Sequence, residues 1–65
     1  MQEIQLALQS AQDALRDFND KVSMAMSKLD TLLNAGEDTP VPYGDVERLQ
    51  SQGINMQRTL ERILR

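Results

Sequence analysis

From Met1 to Leu33 neither proline nor glycine interrupts the chain, and apolar or small residues recur at unbroken steps of three and four. The series is Met1, Ile4, Leu8, Ala11, Leu15, Phe18, Val22, Ala25, Leu29 and Leu32. Read as heptads, it places Met1, Leu8, Leu15, Val22 and Leu29 at a, and Ile4, Ala11, Phe18, Ala25 and Leu32 at d. A seam of this kind predicts one long helix, over residues 2–35, about 50 Å in length. A lone helix cannot bury such a stripe, so something must lie along it.

Part of the cover is in the chain itself. Asn34-Ala35-Gly36 supplies a stop, with Gly36 suited to the left-handed residue after a helix. The segment Glu37-Asp38-Thr39-Pro40-Val41-Pro42-Tyr43-Gly44-Asp45 follows, and its prolines and glycine forbid a continuous helix. Pro40-Val41-Pro42-Tyr43 reads as a stiff, extended connector with Tyr43 on the helix ends. A proline-rich ligand for an aromatic groove is the other reading. A loop over 36–45 then leads to a second helix over 46–64, capped by Asp45, with an earlier start at Thr39-Pro40 also open. Its seam is read as Val46, Leu49, Gly53, Met56, Leu60 and Ile63. Gly53 is the flaw, costing about 1 kcal/mol against Ala in a helix interior. It either admits a bulky neighbour such as Met26 or Phe18, or permits a bend.

Two helices joined in this way predict an all-α fold, an antiparallel helical hairpin forming a single domain over residues 1–65. Simple folding about the loop sets Val46 near Leu33, Leu60 near Phe18 and Ile63 near Leu15. The first eleven or so residues then overhang, with Ile4, Leu6 and Leu8 uncovered. The expected cover is a second copy completing a four-helix bundle, or a different helical protein. The residues expected to carry the interface are Ile4, Leu6, Leu8, Ala11, Leu15, Phe18, Val22, Met26, Leu29, Leu49, Met56, Leu60 and Ile63. Ala7, Ala11, Ala14 and Ala25 would let a neighbouring helix approach closely. Leu6, Met24 and Ile54 lie off both seams.

Composition narrows the function. Without Cys or His there is no disulfide framework, no thiol or imidazole catalysis and no expected zinc site. The acidic residues match no calcium-loop spacing, so no metal, cofactor or catalytic residue is assigned, and the chain reads as non-enzymatic. Net charge is −3, with one Tyr, one Phe and no Trp, which argues against gripping phosphates or stacking bases. Arg58, Arg62 and Arg65 share one face of the second helix and are the candidate contacts if nucleic acid binds at all. Asp13, Asp17 and Asp20 share a face of the first helix, and both stripes read as solvated. No apolar run is long enough for a membrane span and no leader pattern opens the chain, so a soluble, cytoplasmic protein is expected.

The run Lys28-Leu29-Asp30-Thr31-Leu32-Leu33-Asn34-Ala35-Gly36, in a chain of this size, resembles the small co-chaperones of type III secretion needle subunits. That resemblance implies a helical hairpin that works by coating a partner. Leu32-Leu33, a Pro/Gly connection, then Val46, Leu49, Met56 and Leu60 also resemble the first two helices of a spectrin-type repeat. There the chain departs from the pattern: Met24, Ala25 and Met26 stand where an aromatic is usual, and a third helix is missing. A small regulatory protein of a phage or mobile element would share the same layout. The functional expectation is therefore a self-associating interaction module, or an adaptor, chaperone or inhibitor that binds another protein through its seam.

Overall fold

A computed structural model describes residues 2–65, so the a position at Met1 lies outside the described residues. Two helices account for the regular structure: α1 over Gln2–Asn34 and α2 over Tyr43–Ile63. They pack against each other as an antiparallel hairpin with Cα extents of 52 × 15 × 14 Å. No helix among the described residues is long and apolar enough to cross a membrane.

α1 ends as its sequence predicts. Gly36 takes φ +73°, and the Gly36 amide donates to the Leu33 carbonyl at 3.0 Å. The Glu37 amide donates to Leu32 at 2.9 Å, completing a Schellman motif that satisfies carbonyls left open at the helix end. The beginning of α2 differs from expectation. It starts at Tyr43, directly after an extended Pro42 (φ −63°, ψ 122°) that offers no side-chain cap. Proline has already fixed the backbone for the turn into the helix, so Asp45 is not the cap. It lies in the first turn instead, where a carboxylate favours the positive helix end, 3.5 Å from Arg48.

The pairing register also differs. Asn19 meets Gly53 and Gln57, Ser23 meets Gln50, and Asp30 meets Tyr43. Leu60 consequently lies with Ala11 and Leu15 rather than with Phe18. The cause is the connector, whose extended residues run back alongside α1 before α2 begins. α2 thus starts beside Asp30 and its far end reaches close to the start of α1. The overhang shrinks from the expected eleven or so residues to residues 2–7 of those described, and Leu8 is half-buried.

The buried apolar core is short: Val22, Met26 and Leu29, the last only 4% exposed. All three lie in the half of α1 nearer the turn. Gly53 is the buried residue of α2.

Candidate protein interaction site

The stripe by which α1 meets α2 is not the predicted a/d seam. The half-buried and buried residues along the contact are Leu8, Gln12, Leu15, Asn19, Val22, Met26 and Leu29. These are the a and e positions, a rotation of the helix that brings e inward and rolls d to one side. Of the d residues, Ile4, Ala11 and Ala25 are exposed, while Phe18 and Leu32 are half-buried. α2 is rotated in the same sense. Its inward residues are Val46, Gln50, Gly53, Gln57, Leu60 and Leu64, and the predicted seam residues Leu49, Met56 and Ile63 are exposed at 40%, 49% and 57%.

Gly53 is the reason for the rotation. A β-carbon there would collide with Asn19 Oδ1 and would stand 3.1 Å from Phe18 Cε1 and 3.2 Å from Asn19 Cγ. The glycine therefore admits neighbours, as one sequence reading held, but the nearest is Asn19, with Phe18 beside it. Met26 is not among them. Asn19 Nδ2 donates to the Gly53 carbonyl at 3.3 Å and to Gln57 Oε1 at 2.7 Å. Asn19 Oδ1 is buried and accepts no hydrogen bond among the described residues. A close helix crossing with a polar group at its centre turns both helices until Asn19 faces Gly53. The interior glycine is the signal the sequence carries; that Asn19 is the residue opposite it follows only from the register of the structure.

The rotation gives the hairpin two unlike edges. One is polar and latched. Gln50 Nε2 donates to Ser23 Oγ at 3.4 Å, and Tyr43 Oη donates to Asp30 Oδ1 at 2.8 Å. That bond, with partial desolvation and the negative charges of Asp30 and Glu47, raises the Tyr43 pKa above its ordinary value of 10.0.

The other edge is apolar and open. Ala11, Leu15, Asn55, Met56, Thr59 and Leu60 line a hollow of about 500 Å³. A second hollow of about 340 Å³ continues it past Ala14 and Phe18. Neither has a titratable side chain in its wall. Leu49 and Ile63 stand one heptad to either side of Met56, and Ile4 one heptad beyond Ala11, so the apolar edge runs nearly the whole length of the hairpin.

The predicted interface residues thus divide. Leu8, Leu15, Val22, Met26, Leu29 and Leu60 meet within the hairpin, whereas Ile4, Ala11, Phe18, Leu49, Met56 and Ile63 form the open edge. Leu6 belongs to neither and lies on the outer side of α1 with Gln2, Gln5 and Gln9. Arg58, Arg62 and Arg65 are exposed, and none takes part in the ion pairs that the described residues form. Asp13 pairs with Arg16 and Asp17 with Lys21 along α1, both fully on the surface. No group of His, Cys, Asp or Glu among the described residues is arranged to hold a metal ion. No family model, curated protein or solved structure matches this chain.

Proposed function

We propose that this protein is a non-catalytic interaction module that associates with itself through its apolar edge, two hairpins completing a four-helix bundle. The observation that carries the reading is the row Leu49, Met56, Ile63 on α2 beside Ile4, Ala11, Phe18 on α1, all apolar or small and all left without a neighbour on that side among the described residues.

The surface area supports it. A compact monomer of 7.4 kDa exposes about 4,200 Å² by the usual scaling. This chain exposes 5127 Å². The excess is about 900 Å², close to what one partner contributes to an interface of standard size. A core of three buried apolar side chains is also thin for a stable fold of 65 residues. The absence of ionisable groups from both hollows supports a binding role over a catalytic one.

The test is the solution mass by light scattering over a dilution series, with circular dichroism on the same samples. A helical dimer whose dissociation on dilution is accompanied by loss of helix is the expected result. A chain that stays monomeric at every concentration overturns self-association. If such a monomer then gains helix with a different protein, the adaptor reading replaces it.

A further inference from the structure

We infer that the second hairpin lies antiparallel to the first, with the two turns at opposite ends and the two-fold axis beside Phe18. The inference rests on the self-association proposed above and adds its geometry.

Three features of the apolar edge lead to it. The first is the order of side-chain sizes at the d positions of α1: Ile4, Ala11, Phe18, Ala25, Leu32. The series reads the same in size from either end, with Phe18 at its midpoint. Running two copies of α1 in opposite directions about that point sets Ile4 against Leu32, Ala11 against Ala25, and Phe18 against Phe18. The alanine layers leave room, and the register of the hairpin shows what fills it. Asn19 lies beside Gly53, and Ser23 beside Gln50. Leu49 of the second copy accordingly falls beside Ala11, and its Ile63 beside Ala25, so large residues meet small ones.

Size alone would also fit two hairpins stacked with their turns together. The second feature, charge, separates the two arrangements. The turn half of the hairpin, residues 19–53, carries three basic and six acidic residues. The open half, residues 1–18 with 54–65, carries four of each. Stacking turn on turn sets two net charges of −3 side by side, whereas the antiparallel arrangement sets each against a neutral half that includes Arg58, Arg62 and Arg65.

The third feature is where the uncovered apolar residues lie. The overhang leaves Ile4 exposed at one end, and Leu33 and Val41 are exposed at the turn. An antiparallel pair brings each overhang, with Ile4, alongside the other copy's turn half at Leu32. A parallel pair gives the overhang only its own twin.

The chain has no cysteine, so disulfide trapping is clean. Ala11→Cys and Ala25→Cys chains are prepared separately, and their helicity and mass are checked under reducing conditions. They are then unfolded, mixed, refolded and oxidised mildly. Cysteines bridge only when their Cα atoms come within about 7 Å, whereas two copies of residue 25 stand about 21 Å apart along the antiparallel pair. The expected result is at least about tenfold more covalent dimer in the mixture than in either chain alone. Ile4→Cys mixed with Leu32→Cys repeats the test at the ends and serves if an alanine site disturbs folding. Trapping of Ala25→Cys with itself overturns the orientation while leaving self-association in place. A dimer that traps with no pair overturns the use of this edge. A monomer under reducing conditions for the unaltered chain overturns the reading beneath both.

Discussion

The two edges of the helix pair use similar backbone and opposite chemistry. On the polar edge, Ser23, Asp30, Tyr43 and Gln50 join α1 to α2 through hydrogen bonds at the surface. On the apolar edge, Ala11, Phe18, Leu49, Met56 and Ile63 stand beside the seam with nothing over them. A hydrogen bond at the surface contributes little net stability, because water competes for both partners. It does require a particular pairing, so the polar edge sets the register more than it holds the helices together. The apolar edge has no such requirement, and its favourable free energy is released only when water is removed by another surface. One edge therefore specifies the hairpin, and the other is the surface on which the proposed association would rest.

The largest expected effect comes from placing a charge on the apolar edge. Met56 is half exposed in the hairpin, so Met56→Asp should leave α1 and α2 paired in the monomer. In a symmetric dimer the substitution occurs twice, at about 2 kcal/mol or more each for an unpaired carboxylate facing an apolar surface. Dimer dissociation measured by sedimentation or light scattering should strengthen by at least about a hundredfold. Gln50→Ala, the matching change on the polar edge, should alter it by less than about threefold. If the two substitutions weaken association equally, the division between edges is wrong.

The next effect concerns the crossing that creates the edges. Gly53→Ala adds about 1 kcal/mol of helix propensity, yet it drives a methyl group into Asn19. Asn19 must then leave the Gly53 carbonyl and Gln57, at about 1 kcal/mol for each bond. Gly53→Ala should therefore destabilise by about 1–2 kcal/mol in urea unfolding. In an Asn19→Ala background the same change should cost less than half as much, or stabilise. A cost that is independent of residue 19 would mean that Phe18, and not Asn19, sets the approach.

This crossing also marks the limit of what was legible in the sequence. The helices, the turn and the left-handed Gly36 follow from periodicity and from the conformational preferences of glycine and proline. The rotation of the helices does not. Spacing identifies an apolar stripe wide enough to include d, a and e, and it assigns the apolar d residues to the seam because they are apolar. The structure places Gln12, Asn19, Gln50 and Gln57 there instead, because a glycine opposite an asparagine permits closer approach than leucine against leucine. The seam of α2 shifts for the same reason: Leu49, Met56 and Ile63, expected both to line that seam and to carry the interface, lie beside the contact because Gly53 is inward. The register was missed on separate grounds, since the length of a connector does not reveal that its extended residues turn back along α1.

The smallest effect is confined to the polar edge and to alkaline solution. Tyr43 donates to the Asp30 carboxylate, and its pKa in the fold is raised above 10.0. The folded state therefore holds the phenolic proton more tightly than the unfolded chain does. The resulting stabilisation is complete below pH 10 and is lost as the pH rises through the folded-state pKa. Urea midpoints of the unaltered chain should fall through that window, over and above any fall seen in Tyr43→Phe, which has no proton to lose. Asp30→Asn should remove most of the difference, since it takes away the principal acceptor and the nearest charge. At neutral pH each of the two variants should leave the urea midpoint nearly unchanged, as befits a hydrogen bond open to water. A larger loss in Tyr43→Phe at pH 7 would mean that the polar edge holds the hairpin together and does not merely set its register, and the contrast between the edges would narrow accordingly.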